Sequence, residues 1–109
     1  MNPDFSAVEI DPAKIADYLL SSSHPTGRFK AHVFRVLGYS PEQWQRLDAD
    51  LRQLARSGAC APGKPTAYGQ KWEVSGSVIG PSGRSARLVT VWLVAPRSDL
   101  PRLITAFPG

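Results

Sequence analysis

Lys71-Trp72-Glu73-Val74-Ser75-Gly76-Ser77-Val78, then Gly80-Pro81-Ser82-Gly83, then Ala86 to Val94 is the stretch that decides the fold. In its first part Trp72, Val74 and Val78 alternate with Lys71, Glu73, Ser75 and Ser77, the period of two expected of a half-buried strand. Gly-Pro-Ser-Gly is a turn. Ala86 to Val94 follows with apolar residues on both faces, as a central strand would. If the turn is tight, Lys71 lies across from Trp92 and Glu73 from Thr90 on one face. Trp72 then pairs with Val91 and Val74 with Val89 on the other face, the better candidate for the core. A slip of one residue would exchange these faces. Pro96 to Pro101 reads as a second loop and Leu103 to Phe107 as a last short strand.

Upstream the period is helical. Asp11-Pro12 has the chemistry of a helix start, and Ile15, Tyr18 and Leu19 follow at helical spacing until Ser21-Ser23. His24-Pro25 and Gly27 form a loop, after which Arg28 to about Gly38 reads as a second helix. On it Phe29, Val33, Val36 and Leu37, widened by Phe34, make an apolar arc, with Arg28, His32 and Arg35 opposite. Lys30 projects from the middle of that arc, where an ammonium must snorkel, find a partner or line a cleft. Ser40-Pro41-Glu42-Gln43 has a capping-box pattern, and Trp44, Leu47, Leu51 and Leu54 form the stripe of a third helix ended at Gly58. The expected architecture is α+β: three N-terminal helices packed on one face of a three- to four-stranded antiparallel meander. The chain reads as a single domain over residues 1–109, helical over about 11–58, a loop over 59–69 and sheet over about 70–107.

Composition narrows the function classes. The lone Cys60 excludes an intrachain disulfide framework and a cysteine-cluster zinc site. No apolar run approaches the roughly 18 residues that span a bilayer. Asp4 and Glu9 stand where a signal peptide would be positive, so the expected place is the cytoplasm, away from membranes. No P-loop, dinucleotide fingerprint or metal motif is present, and neither cofactor nor metal is expected. The net charge of +4 permits a polyanionic partner such as RNA.

Tyr18-Leu19-Leu20, His24-Pro25, Gly27, Lys30-Ala31, Phe34 and Leu37-Gly38-Tyr39 together resemble an uncharacterised family of small bacterial domains. Tyr68 to Trp72, Gly80 to Gly83, Val91-Trp92 and Leu103 to Pro108 extend that resemblance over nearly the whole chain. More loosely, the helices, the meander and the closing Thr-Ala-aromatic-Pro resemble the barnase, EndoU, colicin and RelE superfamily of ribonucleases. That resemblance implies a metal-independent toxin of a bacterial toxin–antitoxin or conflict system, with its site on the open sheet face. It also implies a cognate antitoxin or immunity protein. The residues it points to as catalytic are His24, Lys30 and Thr105, with Arg35 or Lys71 on phosphate; Phe107 departs from the tyrosine often found in such domains. Arg28 adds to the basic set, and Trp92 has a ring that would stack on a base if it faced outward. Metal-independent cleavage needs a base for the ribose 2′-OH, an acid for the leaving 5′-oxygen and positive charge on the phosphorane. Glu73 is a candidate base or merely a cross-strand partner. The rival expectation is a non-catalytic module, antitoxin-like or an adaptor, that binds a protein partner. A third is a nucleic-acid binder without chemistry.

Overall fold

The computed structural model describes residues 3–20, 28–98 and 100–109, and of residues 17, 18 and 28–31 the backbone alone. Two α-helices, α1 (Arg28–Val36) and α2 (Trp44–Ser57), precede four strands: β1 (Ala59–Thr66), β2 (Gly69–Ile79), β3 (Ser85–Val94) and β4 (Arg102–Pro108). The sheet is an antiparallel meander in the order β1-β2-β3-β4. The α+β layering matches the expectation, but among the described residues the helix count is lower. The expected first helix is largely a wide π turn over Lys14–Leu19, after an Asp11 side chain that accepts the Ala13 N–H at 3.0 Å. Before α2, Ser40 makes no side-chain cap; Pro41–Gln43 is a 3-10 turn instead.

The expected loop over 59–69 is mostly the edge strand β1. Pro62, Gly63 and Pro65 disguised it, because proline cannot donate to a ladder and marks a break in a central strand. On an edge it is tolerated, and here the pairing with β2 shifts between Pro62 and Pro65. The opposite edge, on β4, is partly covered by the N-terminal segment. Glu9 N–H donates to Pro101 O at 2.8 Å, and Leu103 N–H donates to Glu9 O at 3.0 Å.

The β2–β3 register is one residue away from that of a tight turn. Gly80 N–H donates to Arg84 O and Gly83 N–H to Gly80 O, both at 2.9 Å, so Pro81, Ser82 and Gly83 form a three-residue loop. Gly83 closes it at φ +86°, the left-handed residue that such loops require. An odd loop inverts the parity of pairing. Trp72 therefore faces Trp92, Val74 faces Thr90, and Glu73 faces Val91. The β2 face assignment stands, but β3 is turned over: Thr90 and Trp92 point into the core and Val89 and Val91 do not.

Against the covered face lie Leu47, Leu51, Leu54 and Ala55 of α2, Phe34 of α1 and Leu37 just after it, all buried. Gly76 admits α2: a Cβ there would come within 2.6 Å of Leu54 Cδ1. Within the expected α1 arc, Val33 is only half-buried and Val36 is 42 % exposed, so the buried stripe is narrower than the periodicity suggested. Thr90 is the one buried polar residue among those described, and it is satisfied twice. Its Oγ1 donates to Val74 O at 2.7 Å and accepts the Trp92 indole N–H at 2.8 Å.

Tyr39 ties α1 to α2. Its ring is 2 % exposed and its hydroxyl donates to Asp50 Oδ2 at 2.5 Å, where Arg46 Nε also donates at 2.9 Å. Burial, then the hydrogen bond and charge of Asp50, raise the Tyr39 pKa well above the ordinary phenol value of 10.0. The protonated phenol is thus favoured by folding, and its contribution is complete below pH 10.0 and falls as pH rises further. Stability against urea is expected to decline between about pH 10 and 12 in the native chain. Tyr39→Phe should lose about 1 kcal/mol at pH 7 and show a shallower alkaline decline.

Candidate functional site

Among the described residues the helices leave the second face of the sheet uncovered, and the strand pairings arrange its side chains in rows. Lys71, Leu93 and Arg102 stand side by side on β2, β3 and β4; so do Glu73, Val91 and Thr105, and Ser75, Val89 and Phe107. Neighbouring strands are about 4.8 Å apart, which puts the β2 and β4 members of a row about 10 Å from each other. Arg87 sits one pair further along, opposite Ser77, and its guanidinium donates to Ser75 Oγ at 3.2 Å. Val89, Val91, Thr105 and Phe107 are half-buried although no helix among the described residues covers them. The face is thus an apolar strip with cations along it, a carboxylate at Glu73 and hydroxyls at Ser75, Ser77 and Thr105.

At one end the face deepens into an open groove of about 830 Å³, lined among others by Glu9, Tyr68, Lys71, Leu93, Arg102 and Ile104. Two local features build it. In the β1–β2 turn, Thr66 Oγ1 donates to Gly69 O at 2.9 Å and accepts the Tyr68 N–H at 3.1 Å, a side-chain-stabilised turn. Gly69, at φ +143°, lies so close to β3 that a Cβ would collide with Val94 O. Tyr68 is thereby held at the tip with 78 % of its surface exposed. In β4 the pairing with β3 slips between Val91 and Trp92, and the extra residue, Ile104, lies in the groove wall.

The residues expected from the sequence are divided by this arrangement. Lys71 and Thr105 share the open face, one row apart, with Glu73 beside Lys71's row and level with Thr105. Arg35 is exposed on the last turn of α1, and Phe34 of α1 and the following Leu37 are buried against the opposite face. Lys30 and Arg28 belong to that helix; their side chains, and all of His24, lie outside the described residues. Trp92 is a correction: it has no exposed surface, so its ring is core and offers no stacking face to a ligand. The physical reason is the parity of the three-residue turn. Tyr68, Arg102 and Glu9 are not legible as site residues in the sequence, since only the β4 slip and the N-terminal bridge bring them together. The Cys60 thiol is pushed up by burial, away from thiolate reactivity. Among the described residues no group of His, Cys, Asp or Glu could hold a metal ion, and no helix is long and apolar enough to cross a membrane.

Residues 2–109 match a family model described as a domain of unknown function, DUF6883. No curated protein matches the sequence. Among solved structures, the chain is similar to one from a contact-dependent growth inhibition toxin–immunity protein complex of Klebsiella pneumoniae 342. The TM-score is 0.72 with 19 % identity, covering 95 % of either chain. At that identity the likeness is one of fold.

Proposed function

The chain belongs to the DUF6883 family, and we propose that it is the RNA-acting member of a toxin–immunity pair, working on the open face of its sheet. The observation that carries this reading is the open face itself, where Lys71, Arg87 and Arg102 surround Glu73 and Thr105 on a chain of net charge +4. Such a face suits a polyanion, and a protein that neutralises it would present the complementary negative charge. The likeness to a chain of a toxin–immunity complex supports the pairing.

In this reading Lys71 and Arg102 hold phosphate oxygens and stabilise the charge that grows on the phosphorane. Glu73 takes the 2′-OH proton, and the Thr105 hydroxyl orients the phosphate. His24 is the proposed donor of the proton to the leaving 5′-oxygen, and Lys30 a further cation. The cognate partner is an acidic protein that covers the same face.

The test is incubation with labelled RNA in EDTA. Wild type is expected to cleave, and Glu73→Gln, Lys71→Ala and His24→Ala each to slow cleavage by a factor of about 100 or more while remaining folded by circular dichroism. Intact RNA with folded wild type would overturn the reading. The same strip of Val89, Val91 and Phe107 would then be assigned to a non-catalytic, partner-binding module.

A further inference from the structure

We propose that the groove at the Tyr68 end of the open face binds one nucleotide of a single-stranded RNA. Its base stacks on the Tyr68 ring, and the flanking phosphates lie on Lys71 and Arg102. The ligand class rests on the RNA reading above; the location rests on the groove.

Four observations converge on it. The groove, at about 830 Å³ and open to solvent, is of the size that small ligands occupy. Its floor is apolar, from Leu93 and Ile104, and its rim is basic. Tyr68 is 78 % exposed and contributes nothing to the core, yet its backbone is fixed by the Thr66 hydroxyl and the Gly69 approach to β3. A large apolar ring held out into water by a rigid turn loses little entropy when a base stacks on it. An aromatic platform beside a cationic track is how proteins hold single strands.

Glu9 refines the ligand. Its backbone is bonded to β4 on both sides, through Pro101 O and Leu103 N–H, and the residue lines the groove beside Arg102. A carboxylate repels phosphate but accepts the exocyclic amine of a base, as acidic side chains do with cytosine. The subsite therefore prefers cytosine to uracil.

The experiment uses the full chain and short 2′-O-methyl oligonucleotides, which lack the free 2′-OH and so resist cleavage, with binding followed by fluorescence anisotropy. Wild type is expected to bind oligo-C more tightly than oligo-U. Tyr68→Ala should weaken binding about tenfold or more, and Tyr68→Phe should bind nearly as wild type. Lys71→Ala and Arg102→Ala should weaken both sequences alike and each lower the salt slope by about 0.7. Glu9→Ala should abolish the preference for cytosine. Tyr68→Ala binding as well as wild type, or no binding by wild type, overturns the subsite. RNA cleavage with affinity indifferent to Tyr68 rejects the subsite and keeps the ribonuclease. Tyr68-dependent binding by a chain that leaves RNA intact does the reverse.

Discussion

Trp92→Ala is expected to lower the free energy of unfolding by about 3–5 kcal/mol, the cost of deleting a fully buried indole. The ring has no exposed surface, meets Phe5 edge-on at 5.9 Å, and donates its N–H to Thr90 Oγ1. Its loss empties the space where the sheet meets the N-terminal segment. For a domain of this size that is a large share of a total of about 5–15 kcal/mol. Urea unfolding should show the midpoint falling with the slope unchanged. Trp92→Phe keeps much of the volume but removes the N–H and the pyrrole part of the indole, so it should lose less, about 1–2 kcal/mol. Were the register that of a tight turn, Trp92 would lie on the open face, and Trp92→Ala would change stability by about 0.5 kcal/mol or less. The measurement thus decides which face of β3 is the core.

Gly80→Ala is the second large effect, expected at about 2–3 kcal/mol through overpacking. A Cβ at Gly80 would collide with Leu37 O, and its next contact is Leu37 Cβ at 2.7 Å. The collision falls where the β2–β3 turn closes the end of α1. Ser82 N–H donates to Leu37 O at 3.0 Å and Ser82 Oγ donates to Val36 O at 3.2 Å, satisfying carbonyls that a helix end leaves open. Prying the turn away breaks both bonds. Ser82→Ala, which removes only the side-chain bond, should cost no more than about 1 kcal/mol. Comparable losses from the two substitutions, by urea unfolding, would show that the turn does not rest on the helix.

The legible part of the fold was periodic. Leu47, Leu51 and Leu54 recur on one side of α2, and Val74 and Val78 on one side of β2, so their burial follows from spacing alone. Charge, the lone Cys60 and the alternation of Lys71, Glu73 and Ser75 likewise needed no coordinates to read as a basic α+β domain with an open face. β1 was illegible because its prolines carry the signal of a loop, and only its place at the edge makes them acceptable.

What the amino-acid sequence determined by itself was the identity of α1, α2, β2, β3 and β4 and the polar face of β2. The side of the sheet taken by Trp92 and Thr105, and the meeting of Tyr68, Lys71, Arg102 and Glu9, were decided only by the tertiary structure. Each depends on a count of loop residues or on a slip between strands, a three-residue turn at Pro81–Gly83 and an extra residue at Ile104. Local periodicity says that alternate side chains share a face; it does not say which face. That choice is made by long-range pairing and by the free energy of burying one row rather than the other.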